Sequence, residues 1–283
     1  MKFIIIYLQN LTLKPSKKFF ELVPNGITSM ITFVGLGLRD SRDITLKGLE
    51  AVKKADRVYA EFYTSRLSAG IEELEKEFGR KIEVLERKDL EEESWKIVNE
   101  GAEKNVVILV PGDPMIATTH ASIVIEAKKR GVKVGIIHNA SIISAVAGIT
   151  GLHIYRFGKT ATVSYPYGDT VSRTPLDVIK QNLSINAHTL LLLDLNPEPM
   201  TIPEAVTILK RVDDGTLNHF AVGIARAGGD SFIVCDNFYR LKNYDFGEPL
   251  HSIVFLGKTL HITEYEFLRE FASPPDNLAE IVE

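Results

Sequence analysis

The chain has 283 residues, 45% of them hydrophobic and 25% charged, with a formal net charge of −4 and a pI near 6.0. That balance excludes a disordered chain and a broad cationic field of the kind that grips phosphate backbones, so nucleic acid is not an expected partner. A single cysteine, Cys235, excludes an intrachain disulfide and a cysteine-rich metal cluster, and no apolar run approaches the roughly 20 residues that cross a bilayer, so the expected setting is the cytoplasm.

The opening segment MKFIIIYLQNLTLKPSKKFF has an apolar core only from Phe3 to Leu8 and no small-residue cleavage site, so it does not read as an export signal. Residues 1–29 are expected to be an N-terminal extension, either an arm on the surface or, the preferred reading, sequence read through from a start upstream of Met30. From Met30 onward strand-like and helix-like segments alternate, which predicts α/β layers around a mostly parallel sheet. Strands are expected over 31–34, 57–61, 82–85, 106–110 and 132–137, and helices over 45–55, 68–78, 89–103 and 118–130. In the first helix Leu46, Leu49, Val52 and Ala55 recur on one face, with Lys47, Glu50, Lys53 and Lys54 on the other, and Asp43 or Thr45 is expected to cap its start. The stretch RFGKTATVSYPYGDT reads as a linker with a crossing strand near 161–164. It divides the chain into an N-terminal α/β domain over 30–155 and a C-terminal α/β domain over 156–283. The second is expected to hold helices near 176–186, 202–212 and 263–271. Its strands begin at His188 and Phe220, with others over 232–235 and 252–256, and their short spacing predicts a mixed sheet.

Open α/β sheets bind ligands beyond the carboxyl ends of their strands, and four loops there carry unusual residues. ITFVGLGLRD gives Gly35-x-Gly37, but Asp40 stands where the dinucleotide fingerprint has its third glycine, so the loop either lines a ligand or makes only a tight turn. PGDPMIATTH sets Asp113 on a turn stiffened by Pro111 and Pro114, where its carboxylate either binds a hydroxyl or amine or completes the turn; Thr118 and Thr119 suit a cap on the next helix. In HNASIISAV, Asn139 and Ser141 stand at a helix start, as ligand donors or as caps. HTLLLLDL leads into LDLNPEP, with Asp194 expected to be structural. His120, His138, His153, His188 and His251 form no H-x-x-x-H or H-E-x-x-H pair, so no metal is expected. A G-x-S-x-G elbow and a P-loop lysine are both missing, which removes the defining parts of a hydrolase or an NTPase.

Seven segments in order, FVGLGLRDSRDITLKGLEAVKKADRVYAEFYTS, PGDPMIATTHASI, HNASIISAV, GLHIYRFGKTATVSYP, HTLLLLDL, ARAG and GEPLHSIV, resemble the diphthine synthase family. This is a branch of the tetrapyrrole-methylase-like superfamily of S-adenosylmethionine-dependent methyltransferases, and the likeness runs from Met30 to the C-terminus. The resemblance implies two α/β domains of the tetrapyrrole methylase type, S-adenosyl-L-methionine folded into the cleft between them, and a homodimer. It implies cofactor contacts at Leu38, Asp113, Ile116, Ser141, Ile142, Leu193, Ala227 and His251, and a GLGL loop that lines the cleft without cradling pyrophosphate. The implied activity is trimethylation of the amino group of the 3-amino-3-carboxypropyl chain on a histidine of elongation factor 2, a step of diphthamide biosynthesis, with no side chain acting as an essential base. Arg66, Lys159 and Arg173 are surface candidates for the acceptor's carboxylate. The alternatives are a same-fold methyltransferase acting on a tetrapyrrole or ribosomal RNA, a non-catalytic nucleotide-binding module, and, third, a nicotinamide-dependent oxidoreductase.

Overall fold

Runs of valine, isoleucine and leucine bounded by glycine and charged residues build the first sheet in a computed structural model that describes residues 29–63 and 65–283. The reading of residues 1–29 as upstream sequence lies, Ser29 apart, outside the described residues. The strands are β1 (Met30–Gly35), β2 (Arg57–Glu61), β3 (Glu83–Leu85), β4 (Asn105–Val110) and β5 (Val134–Ile137), all parallel in the order β3-β2-β4-β1-β5. The central strands are buried on both faces, which is why they read as continuous apolar runs. On one face α1 (Leu46–Lys54) and α2 (Ile71–Phe78) pack Val52, Leu74 and Phe78 against Val34, Val58 and Leu109. On the other, α3 (Arg87–Glu91), α4 (Ser94–Glu103) and α5 (Ala121–Lys129) pack Leu90, Val98 and Ile123 against Phe33, Val106 and Ile108.

Three local expectations are corrected. Leu46 is 82% exposed, because α1 rides on Gly48, whose place leaves no room for a Cβ beside Val34 (2.8 Å); the buried stripe is therefore Gly48, Ala51, Val52 and Ala55. Thr45, not Asp43, caps α1: its hydroxyl accepts from the Gly48 amide at 3.0 Å. The helix expected over 89–103 is two helices, since Asp89 is the third residue of a capping box with Glu86 and the chain breaks at Glu92 and Glu93 before α4.

The second sheet holds β6 (Ala161–Val163), β7 (Thr189–Leu193), β8 (Phe220–Ala225), β9 (Phe232–Asn237) and β10 (His251–Phe255) in the order β6-β7-β10-β8-β9. Only β6 and β7 run parallel; the remaining pairs are antiparallel, as the hairpin-like spacing predicts. Helices α7 (Thr174–Ser184) and α8 (Ile202–Lys210) cover one face through Leu176, Ile179, Val206 and Leu209. The other face is covered by α9 (Ile262–Phe271) and by α6 (Ile142–Thr150), which leaves β5 of the first sheet and packs Val146 against Leu190 and Val254 of the second. Helix α6 thus joins the two lobes.

A buried polar knot fastens α9. The Glu264 carboxylate accepts from the His153 and His261 amides (2.7 and 2.9 Å), from Arg156 (3.1 Å) and from His188 Nε2 (3.2 Å), while His188 Nδ1 accepts from the Gly257 amide. Burial alone would raise this carboxyl, but the His188 bond and the two amides outweigh it and hold its pKa at about 2. Cys235 lies buried in the same cluster, and burial pushes its thiol up.

Candidate active site

The parallel strands all point their carboxyl ends at the second lobe. Beyond β1 the chain turns at Gly37 (φ 82°), and Gly37 and Gly112 exchange backbone hydrogen bonds of 3.3 and 2.7 Å, tying the β1 exit to the β4 exit. The next two amides, Leu38 and Arg39, donate to one oxygen of Asp43 at 3.1 and 2.8 Å. Ser68, beyond β2, reaches the same loop, its amide and hydroxyl both donating to the Arg39 carbonyl (2.9 and 2.7 Å).

Asp113 is 7% exposed and fully engaged in shaping the neighbouring turns. One of its oxygens accepts from the Met115 amide (2.9 Å), the other from His138 Nδ1 (2.7 Å) and the Asn139 amide (3.2 Å). Asn139 in turn donates to the carbonyls of Gly35 and Asp43, both at 2.9 Å, so it acts as a strut among three loops. Ser141 caps α6, its amide donating to the Ser144 hydroxyl at 3.0 Å.

The second lobe contributes an edge where β7 and β8 end and β10 begins. Ser252 pairs with Leu192 and Ile224, and His251 with Ala225, which brings Leu193, Ala227 and His251 to one side. Asp194 bridges β6 to the β7 exit, accepting from the amides of Tyr165 (3.3 Å), Leu195 (2.8 Å) and Asn196 (3.3 Å). The His251 ring is buried; Nδ1 accepts from the Ile202 amide (3.3 Å), which leaves the proton on Nε2, an atom with no partner among the described residues. Burial lowers its pKa below the ordinary imidazole range, helped by the Arg226 charge and against nearby carbonyls of residues 246–248. Arg226 sits at a positive φ of 53°, held there by bonds from its guanidinium to the carbonyls of Phe246 and Glu248 (2.6 and 2.8 Å).

Between these edges lies a cleft of about 910 Å³, and Leu38, Asp113, Ile116, Ser141, Ile142, Leu193, Ala227 and His251 all line it. Asp194 lines it as well. The surface candidates divide: Arg66 is on the cleft, whereas Lys159 lies beside Gln181 and Arg173 binds the Val212 carbonyl and Asp214 elsewhere. Tyr63 and Arg87 also line the cleft and carry no signal in the sequence, because the exits of β2 and β3 have no glycine or proline signature; Arg39 and Arg226 line it too, inside the glycine-bearing segments after β1 and β8. Among the described residues no group of three or more histidines, cysteines or carboxylates is placed to hold a metal, and no helix is long and apolar enough to cross a membrane.

The family model of Tetrapyrrole (Corrin/Porphyrin) Methylases matches residues 30–231. The chain is 57% identical over 254 residues to the diphthine synthase of Archaeoglobus fulgidus, covering 89% of this chain and all of that one. It is 45% identical over 269 residues to that of Methanosarcina acetivorans, covering 90% and 100%. The chain belongs to the diphthine synthase family of tetrapyrrole methylases. A crystal structure of diphthine synthase superposes with a TM-score of 0.86 at 56% identity, covering 90% of this chain and all of that one. Membership of the diphthine synthase family fixes the fold as two α/β lobes of the tetrapyrrole methylase type and the chemistry as methyl transfer.

Proposed function

We propose that this enzyme binds S-adenosyl-L-methionine in the cleft and uses it to trimethylate the amino group of a 3-amino-3-carboxypropyl chain on a histidine of elongation factor 2, a protein modification in diphthamide biosynthesis. One observation carries the reading: eight residues from loops far apart in sequence line a single cleft between two lobes of a diphthine synthase fold.

The residues fit such a cofactor. The loop amides that would grip a phosphate are already taken, Leu38 and Arg39 by Asp43 and Gly112 by Gly37, so the walls suit a nucleoside that carries none. Leu38, Ile116, Ile142 and Leu193 offer apolar surface to an adenosine, and Asp113 and Asp194 stand on the same wall as acidic groups. When bound, the sulfonium supplies an electrophilic methyl group that an amine attacks in line.

The chain's own part is positioning. Enclosure between two lobes fixes both reactants, and effective molarities of about 10⁵–10⁸ M for well-oriented groups make strong base catalysis unnecessary. A peptide's terminal amine titrates near roughly 8, and the carboxylate on the same carbon raises the acceptor amine above that, so one proton must leave before each transfer and water can take it. Asp113 is not free to act as that base, since both of its oxygens hold loop amides and an imidazole. The reaction is placed in the cytoplasm, where a translation factor resides. A homodimer follows from the family resemblance, and exposed apolar side chains such as Tyr155, Ile185 and Phe271 provide surface for one.

The test is mass spectrometry of the modified-histidine peptide of elongation factor 2 after incubation with this protein and cofactor. A gain of three methyl masses is expected. Cofactor binding without transfer to that peptide, or label moving instead to a tetrapyrrole or ribosomal RNA, would refute the reading.

A further inference from the structure

The sheet order divides the cleft. The eight residues above come, in the first lobe, from the exits of β1, β4 and β5, and none comes from β2 or β3, which lie together on the far side of β4. That unassigned end of the cleft is lined by Tyr63, Ser65, Arg66 and Arg87 and faced from the second lobe by Glu198. It is the end with spare positive charge. Among the cleft arginines, Arg226 is bound to two carbonyls, Arg39 to Asp230 (3.4 Å) and Asp40 (3.7 Å), and Arg87 to Glu91 (3.3 Å) with its guanidinium over the Tyr63 ring. Arg66 alone of the four has only a loose partner among the described residues: Glu198, 3.8 Å away across the cleft, beyond hydrogen-bonding distance.

Resting on the function proposed above, we propose that Arg66 takes the α-carboxylate of the acceptor's amino-acid tail and that Glu198 occupies it until the acceptor arrives. The tail carries its carboxylate on the same carbon as the reacting amine, so a guanidinium holding the carboxylate also aims the amine. A planar two-pronged donor matches a carboxylate in a way a point charge does not. An ion pair between side chains 51% and 78% exposed is worth little, so the acceptor displaces Glu198 at small cost. The pair therefore acts as a filter: a histidine without the carboxylate-bearing tail leaves Arg66 on Glu198.

Cofactor carries an α-amino acid of the same chemistry, and the experiment separates the two. Kinetics on elongation factor 2 bearing the 3-amino-3-carboxypropyl group are expected to give Arg66→Ala a KM for that protein raised roughly tenfold or more, the loss of a hydrogen bond to a charged group, and a lowered kcat because the amine is no longer aimed. Arg66→Lys recovers part of this, and Glu198→Gln lowers the KM below that of the parent chain. Calorimetry is expected to give all three variants the parent affinity for S-adenosylmethionine, which also reports an intact fold. An unchanged acceptor KM in Arg66→Ala overturns the assignment, as does a weakened cofactor affinity, which would give Arg66 to the cofactor's carboxylate. Absence of transfer by the parent chain overturns the proposed function and this assignment together; transfer by the parent with no effect of Arg66→Ala overturns the assignment alone.

Discussion

Replacing Asp113 tests whether the cleft is built by its loops or merely decorated by them. In Asp113→Ala the Met115 and Asn139 amides and His138 Nδ1 lose their common acceptor at a position only 7% exposed. Hydrogen bonds to a charged group contribute about 1.5–3 kcal/mol each, and these three share one carboxylate and are not additive, so a loss of about 2–4 kcal/mol is expected. For a chain of this size that corresponds to a fall in Tm of roughly 5–10 °C. Because the same bonds hold the β4 exit against the β5 exit, affinity for S-adenosylmethionine is expected to drop at least tenfold in calorimetry, by the conversion of about 1.4 kcal/mol per decade. Asp113→Asn keeps the shape and one good acceptor, and is expected to fall between. Unchanged cofactor affinity in Asp113→Ala would remove this residue from the site. Lost affinity with an unaltered Tm would refute the bracing argument and leave only a direct contact.

Gly37→Ala is expected to cost binding as well as stability: at φ 82° a Cβ would lie 2.4 Å from Cβ of Asp43, forcing apart the loop and its anchoring carboxylate, and calorimetry with a Tm measurement checks both. Glu264 should make the fold acid-sensitive in a defined window. Its folded pKa of about 2 lies below the ordinary 4.5, so its stabilisation, about 3 kcal/mol, is complete above pH 4.5 and is lost as pH falls toward 2. Glu264→Gln should lower Tm at neutral pH and flatten its dependence on pH across that window; an equally steep profile would refute the assignment. Inorganic pyrophosphate at millimolar concentration should not displace S-adenosylmethionine in a competition titration, and displacement would contradict the account of the loop amides.

What the sequence discloses and what it conceals follow from range. Strand β4 and the turn after it are legible because burial on both faces demands an unbroken apolar run and because Pro111, Gly112 and Pro114 mark its end. The mixed second sheet is legible for the same local reason, the short spacing of its strands. Leu46 was misplaced because the contact that sets the rotation of α1, Gly48 on Val34, joins residues on separate elements and leaves no periodic signal. Asp43 reads as a cap because it precedes a helix, yet its carboxylate turns back to Leu38 and Arg39, a choice made by the tight turn at Gly37. Arg66 is legible only as one of three surface arginines and lysines; strand order, which sets the exits of β2 and β3 beside β4, is what separates it from Lys159 and Arg173 and adds Arg87.

The loop after β1 shows how a strand–glycine–helix unit can serve a cleft without serving phosphate. In such a unit free amides at the turn attract an anion, and an external pyrophosphate is the usual partner. Here the anion is internal: Asp43 accepts from two successive amides, and Gly37 allows its carboxylate to approach the main chain so closely that no side chain fits between them. With its donors satisfied from behind, the loop presents Leu38 instead of N–H groups, and the Leu38 side chain meets the second lobe at Gly228, where a Cβ would stand 2.5 Å from it. The residue that breaks the dinucleotide pattern in sequence, Asp40, belongs to the same device. It accepts from the Arg42 amide (2.9 Å) and side chain (2.8 Å), starting the short helical turn that carries Asp43 into place, and its pKa is held at about 2 chiefly by the Arg42 guanidinium. A third glycine there would lose that cap and with it the turn that holds Asp43 on the loop amides, so the departure from the fingerprint and the covering of those amides have one physical cause.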